Sequence, residues 1–303
     1  MRVRRDGAQI FARKGYLAVR RPAGGALGYE SAALALLDRG KPPNDFPVSA
    51  QGFVFPAQKG ISAVPIVAHV KTRDLRFHID EARGTYTAEA VIVARIRNAG
   101  GQTLQTLSQQ YQLTGAPKDA DVARQGEILF YLQPELQPGV YGLEVIVHDA
   151  LAERASARLS TLSVPSASAS HVPASTLVLI ERVERVASTD RKQDLPFYYG
   201  DMLLYPNPGD PLHHGRDTEL TFYFSLFKRA GDDPAVTLEI LHSGLSLASM
   251  PIELPKPVPD GRVQHVGKLP IDKFPSGTYE LRLRVRAGNG EETRNAFFTI
   301  ADK

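Results

Sequence analysis

The sequence has no cysteine, no tryptophan and only three methionines. Without cysteine there is no disulfide framework, no thiol nucleophile and no cysteine-ligated zinc site. Without tryptophan the flat aromatic platform best suited to stacking on a sugar is missing. No apolar run approaches the ~20 residues a membrane helix needs, so no membrane insertion is expected. The first residues, MRVRRDGAQIFARKGY, carry charge with no apolar stretch behind them and do not read as a signal peptide.

Familiar catalytic signatures are incomplete. Gly261 to Lys268 (GRVQHVGK) is one residue too long for a phosphate-binding loop, and Leu269 stands where a hydroxyl would hold magnesium. Gly244-Leu-Ser246-Leu-Ala248 lacks the second glycine of a nucleophile elbow. Gly288-Asn-Gly290 runs into two glutamates and not into a dinucleotide fingerprint. All three read as turns between strands. No catalytic residue and no cofactor is assigned, and the chain is expected not to be an enzyme.

What is present is ordinary globular composition: 303 residues, 43% apolar and 23% charged, enough for roughly two domains. Charge is unevenly spread. The first 21 residues hold seven basic groups and one acid, which leaves 29 basic against 32 acidic groups in the rest. A basic arm could touch phosphates. The Asp6-Gly7 turn pair favours the solvent face of a β-hairpin, and a slightly acidic body argues against nucleic acid.

Residues 22–45 read as a connector, with a short helix over Glu30 to Asp38 ending near Gly40 and stopped by Pro42-Pro43. From Phe46 on, short runs rich in Val, Ile, Thr, Phe and Tyr alternate with Gly, Pro and Asp, the pattern of a β-sandwich. Pro165 to Ser175 (PSASASHVPAS) is small, polar and flanked by prolines, so residues 166–175 read as a linker. The expected organisation is a hairpin over 1–21, the connector, a sandwich over 46–165, the linker, and a second sandwich over 176–303.

An internal repeat supports this. Leu136 to Val147 (LQPGVYGLEVIV) matches Phe274 to Val285 (FPSGTYELRLRV), aligning Gly139 with Gly277 and Tyr141 with Tyr279. The same offset carries Leu162 onto Ile300, so the two closing hairpins are expected to have one length. Upstream, Glu89 to Asn98 aligns more weakly with Glu219 to Lys228. Tyr279, Leu281, Leu283 and Val285 share one strand face, and Glu280, Arg282, Arg284 and Arg286 the other. The Pro-Gly-x-Tyr and Pro-Ser-Gly-x-Tyr entries fit a tyrosine corner, whose hydroxyl bonds back to the turn. The expected fold is all-β: two tandem immunoglobulin- or fibronectin III-like β-sandwiches, with Gly139, Tyr141, Gly277 and Tyr279 as structural anchors.

Candidate sites are few. Asp201, Asn207 and Asp210 on a Pro/Gly-rich loop could supply oxygen ligands to calcium, against their commoner use in turns. The row Arg282, Arg284, Arg286 could meet an acidic partner, or pair across the hairpin with Glu291 and Glu292. His213-His214 would point apart on extended chain and chelate poorly. Phe197-Tyr198-Tyr199 and Phe222-Tyr223-Phe224 could line a carbohydrate groove, although alternation puts Phe222 and Phe224 in a core.

Two segments resemble a known family. Val3 to Tyr16 (VRRDGAQIFARKGY) resembles the last hairpin of the bacterial von Willebrand factor A-related domain, which typically ends in an Arg-rich strand and an Ala-Arg-x-Gly-Tyr signature. Phe197 to Asn207 (FYYGDMLLYPN) is similar to a stretch of the β-rich region that follows that domain. The resemblance implies an extracytoplasmic setting, in the periplasm or at the cell surface. It also puts Met1 inside the domain's final strand, so that the chain would be the tail of a longer protein. The A domain's Asp-x-Ser-x-Ser metal motif is absent, so no metal-binding residue carries over. The expected function is a non-enzymatic spacer or interaction module with a protein partner, acting through loops and sheet edges. The alternatives are a carbohydrate-binding or accessory module of a secreted hydrolase, and a hydrolase with paired carboxylates between its domains.

Overall fold

The computed structural model describes residues 26–56, 61–166, 172–187, 195–228, 233–258 and 261–302. The N-terminal hairpin expected over 1–21 and the middle of the expected linker lie outside the described residues. The helix expected over 30–38 is present as α1 (Ser31–Leu37). Glu30 accepts the Leu27 N–H at 2.9 Å at its start, and Gly40 at φ +79° turns the chain away after it.

Strands then follow almost without interruption. The first set is β1 (Ser49–Gly52), β2 (Ser62–Ala63), β3 (Ile66–Lys71), β4 (His78–Asp80), β5 (Thr85–Arg97) and β6 (Thr103–Gly115). After a helical turn, α2 (Ala120–Arg124), come β7 (Glu127–Leu132), β8 (Glu135–Leu136), β9 (Gly139–Asp149) and β10 (Arg154–Val164). The second set is β11 (Val178–Arg185), β12 (Tyr198–Tyr199), β13 (Met202–Pro206), β14 (Leu212–His213) and β15 (Glu219–Phe227). It ends with β16 (Ala235–His242), β17 (Leu245–Ile252), β18 (Arg262–Pro270), β19 (Gly277–Ala287) and β20 (Gly290–Ala301).

Each set folds into two facing sheets, and in the first β2 and β8 also pair as a separate two-stranded ribbon. In the first, β1-β3-β7 faces β10-β9-β5-β6, with β4 beside β9 on the same edge of β5. In the second, β12-β13-β11-β15-β18 faces β14-β20-β19-β16-β17. The orders correspond: β1-β3-β7 to β11-β15-β18, and β6-β5-β9-β10 to β17-β16-β19-β20. The pairing within both sets is antiparallel apart from β14, which runs parallel to β20. The expected pair of fibronectin III-like sandwiches is therefore present, each with its own apolar core.

Both tyrosine corners form. The Tyr141 hydroxyl donates to the Gln137 carbonyl at 2.8 Å, and the Tyr279 hydroxyl donates to the Pro275 carbonyl at 2.8 Å. The tyrosine rings sit in the cores, and Phe274 and Phe298 stack on Tyr279 at 5.2 Å on either side. Gly139 and Gly277 leave room for this corner. A Cβ on Gly139 would come within 3.1 Å of the Tyr141 oxygen, and one on Gly277 within 2.9 Å of the His242 ring.

The structure corrects two parts of the repeat alignment. The closing hairpins differ in length. Tyr141 pairs with Leu162 but Tyr279 pairs with Phe298, so Ile300 corresponds to Val164, which pairs with Gly139 as Ile300 does with Gly277. The cause is the turn: residues 150–153 join β9 to β10, whereas Gly288-Asn289, with Gly288 at φ +54°, joins β19 to β20. The upstream match also fails. β5 pairs with β6 and β9, whereas β15 pairs with β11 and β18 in the opposite sheet. Both strands are apolar on two faces, which makes their sequences alike without making their positions equivalent.

Those doubly buried strands reflect a layered arrangement. Ala33 of α1, with Leu34 and Leu37, covers Val91, Val93, Ile146, Ala155 and Ala157 on the outer face of β5-β9-β10. Asp38 at the helix end reaches Arg95 at 2.8 Å, and Arg95 reaches Glu144 at 2.5 Å. The outer face of β1-β3-β7 packs against the outer face of β11-β13-β15 through a third apolar cluster. Among the described residues, only the last sheet keeps one face free of such a cover, and that face carries Arg282, Arg284 and Arg286.

Removing either corner hydroxyl should cost about 0.5–1.5 kcal/mol, one buried hydrogen bond. Tyr141→Phe and Tyr279→Phe should each show that loss in urea denaturation. Equal stability to the unsubstituted chain would mean the corners are ornamental.

Candidate functional site

The site grows from strand alternation at the junction of the sandwiches. In β3, Ile66, Ala68 and Val70 enter the first core, so Val67 and His69 face outward. In β7, Ile128 and Phe130 go inward, so Glu127, Leu129 and Tyr131 face outward. In β11, Leu179 enters the second core while Val178 and Ile180 face the first sandwich. Phe222 and Phe224 enter the second core, and Tyr223 between them faces the junction.

The apolar part of the junction centres on Phe197, which is 2% exposed. Its ring meets Phe55 at 5.3 Å, Phe53 at 5.6 Å and Tyr131 at 6.2 Å, all edge-to-face. Its backbone sits at φ +69°, a left-handed conformation that a side chain tolerates only when packing compels it. Thr176 pairs with Val54 in both directions, N–H to carbonyl and N–H to hydroxyl, each at 2.9 Å.

A polar cluster borders this apolar patch. His69 is 3% exposed and lies between carboxylates from both sandwiches. Its Nδ1 hydrogen-bonds Asp210, from the loop between β13 and β14. Its Nε2 lies 2.9 Å from Glu127 Oε2 but outside hydrogen-bond geometry, so this buried nitrogen has no hydrogen-bond partner. Ser49 donates to the other oxygen of Asp210 at 2.6 Å, and Lys71 donates to Glu127 at 3.1 Å. Glu181 of β11 completes the group: one donor atom each from His69, Glu127 and Glu181 lie within 4.8 Å of one another.

The charges are mutually adjusted. Burial pushes the His69 imidazole down, but the hydrogen bond to Asp210 and the charges of Asp210 and Glu127 outweigh it and lift its pKa above 6.5. Burial pushes the Asp210 and Glu127 carboxyls up. His69 with Ser49, and Lys71 with His69, outweigh it and hold both below their ordinary range. A raised imidazole pKa stabilises the fold below pH 6.5 and loses that contribution as pH rises through the folded-state value. The lowered carboxyls lose theirs as pH falls. His265, stacked on Phe224 at 5.3 Å, behaves oppositely to His69, because burial there lowers its pKa.

This constellation is not a nucleophile–base pair. An Asp–His–Ser triad needs the hydroxyl on the second imidazole nitrogen. Here Ser49 bonds to the aspartate, and a carboxylate faces Nε2.

The structure disperses or reassigns the sequence-derived candidates. Asn207 Oδ1 accepts the Gly209 and Asp210 N–H groups at 2.8 and 2.6 Å, which is turn chemistry. Both Asp210 oxygens are engaged, one by His69 and the other by Ser49. Arg284 lies 3.2 Å from Glu239 and 3.4 Å from Glu291, and Arg286 2.5 Å from Glu291. Arg282 pairs with Glu280 at 2.8 Å, while Glu292 turns to Arg294 and not to the arginine row. His214 bonds the Phe274 carbonyl at 3.0 Å, and Gly244 follows Ser243 in a hairpin turn at positive φ. Phe197, Phe222, Tyr223 and Phe224 are buried, so they line no carbohydrate groove.

No family model and no curated protein matches the sequence. Among solved structures, Clostridium thermocellum CbhA fibronectin(III)-like modules align at 11% identity over 79% of this chain and 86% of that one, TM-score 0.19. Bacteroides uniformis beta-glucuronidase aligns at 11% identity over 56% of this chain, TM-score 0.28, and a Salmonella alpha-2-macroglobulin mutant at 10% over 83%, TM-score 0.23. This chain spans 16% of the length of each of the latter two. The assignment of the fold rests on strand order and register.

Phe197→Ala should cost about 3–5 kcal/mol, the usual loss for a buried phenylalanine, measured by thermal or urea unfolding. Asp210→Asn should cost about 1.5–3 kcal/mol, a hydrogen bond to a charged group. It should also lower the His69 titration midpoint, because burial is then opposed by Glu127 alone. An NMR pH titration of the imidazole protons reads this directly, and an unmoved midpoint would contradict it.

Proposed function

We propose that the chain is a non-catalytic interaction module: two β-sandwiches held as one rigid body that presents a sheet edge to a protein partner. The observation carrying this reading is β17. It pairs with β16 and, among the described residues, with no other strand. Ala248, Met250 and Ile252 pack against the core, so Leu245 and Leu247 face outward, 72% and 54% exposed. An open edge beside exposed leucines suits strand addition, in which main-chain hydrogen bonds give affinity and side-chain contacts give selectivity. The packed junction supports this use, since a preorganised platform loses less entropy on binding.

An extracytoplasmic setting enters this reading only through the resemblance of residues 3–16 and 197–207 to von Willebrand factor A-related proteins. Within that setting the module would serve as a spacer or docking tail. A carbohydrate-binding role is the competing reading, and the burial of the clustered aromatics speaks against it.

The double variant Leu245→Lys/Leu247→Lys should keep the unfolding midpoint, because exposed substitutions change stability little. It should lose capture of envelope proteins in a pull-down that the unsubstituted chain supports. Undiminished capture, or specific binding on a glycan array, would overturn the reading.

A further inference from the structure

The junction holds three features that the interaction reading does not use. First, His69 Nε2 is buried without a hydrogen-bond partner, 2.9 Å from Glu127 Oε2, and one ring nitrogen of His69 lies within 4.8 Å of a Glu181 carboxylate oxygen. Second, Glu181 faces the cluster against the period of its own strand. Val178 and Ile180 face the junction and Leu179 the core, so alternation would send Glu181 coreward. The register of β11 on β13 slips between Ile180 and Arg182, and this bulge brings Glu181 to within 4.8 Å of His69 and Glu127. Third, Asp210 holds His69 Nδ1, and Ser49 in turn holds Asp210. A carboxylate on one imidazole nitrogen fixes the tautomer that leaves the other free to bind a metal, and it raises that nitrogen's basicity.

We propose that His69, Glu127 and Glu181 form a zinc-class divalent cation site that ties the two sandwiches together, with Asp210 and Ser49 orienting the histidine. One imidazole and two carboxylates are ligands that zinc accepts, with solvent in the fourth position. Around zinc, with bonds of about 2.0–2.2 Å, donors sit about 3.4 Å apart. Glu127 Oε2 and His69 Nε2 are already 2.9 Å apart. Glu181 is exposed and can close the remaining gap by rotating its side chain. Three carboxylates surround one histidine and Lys71, so two added positive charges would relieve their repulsion. Ligands would come from β3 and β7 of the first sandwich and β11 of the second, so binding would stabilise the junction. On binding, the cation displaces any proton from Nε2 into solvent, and the Nδ1 proton stays with Asp210.

The test uses the full chain freed of metal by chelator, with zinc chloride alone as the probe. Calorimetry should find one zinc per chain, and thermal unfolding should move to higher temperature. Magnesium and calcium chloride at the same concentration should leave the midpoint in place. Glu181→Gln, at an exposed position, should still unfold cooperatively without metal, and it should weaken zinc binding at least about tenfold. Absence of zinc binding, or equal zinc affinity in Glu181→Gln, would overturn the site. The second result would place the ion elsewhere, such as at the half-buried His213 and His214. Neither outcome bears on the β17 edge, so the interaction reading stands or falls separately.

Discussion

The packing of one sheet's outer face on another's is the constraint on which this molecule depends. A sandwich normally shows water the backs of both its sheets. Here β1-β3-β7 and β11-β13-β15 turn their backs on each other, and Phe53, Phe55, Val67, Val178, Ile180, Phe197 and Tyr223 fill the space between them. With α1 laid on the far side, the architecture becomes helix, sheet, sheet, sheet, sheet. Buried strands on both faces follow from that order, as do a linker end stitched to Val54 and a phenylalanine held in a left-handed conformation.

Much of the fold was legible in the sequence. Alternation along Tyr279 to Arg286 fixed one inward and one outward face, and the structure has both. The two Pro/Gly-Tyr entries announced two corners, and each hydroxyl reaches the carbonyl four residues back. The helix over 30–38 is visible because strong helix formers, alanine and leucine, fill it and Gly40 with Pro42-Pro43 ends it. These features are local: the residues that cause them are near neighbours in the chain.

The junction was not legible, for a physical reason. Val67 and His69 alternate with Ile66, Ala68 and Val70 in IVAHVK, and nothing local says that the second face is buried by a distant strand. Asp210 is 141 positions from the histidine it contacts. The same blindness produced the false match between β5 and β15, since strands buried on two faces read alike wherever they lie. The loop around Asp210 suggests a calcium ligand or a turn residue, while its actual partners, His69 and Ser49, emerge only when the chain folds. Glu181 was invisible because its orientation depends on a bulge. The one available signal was a histidine inside the apolar run Ile66–Val70, which asks for a polar partner.

The back-to-back packing also bears on whether either half could exist alone. Separated, each sandwich would expose an aromatic-rich sheet face of the kind soluble monomers avoid, next to a buried imidazole or an aspartate stripped of its counterpart. The two halves share a strand order but present complementary surfaces. Neither is an interchangeable bead on a string. Any rearrangement of this region during evolution, by loss, duplication or shuffling, would have to move both sandwiches together.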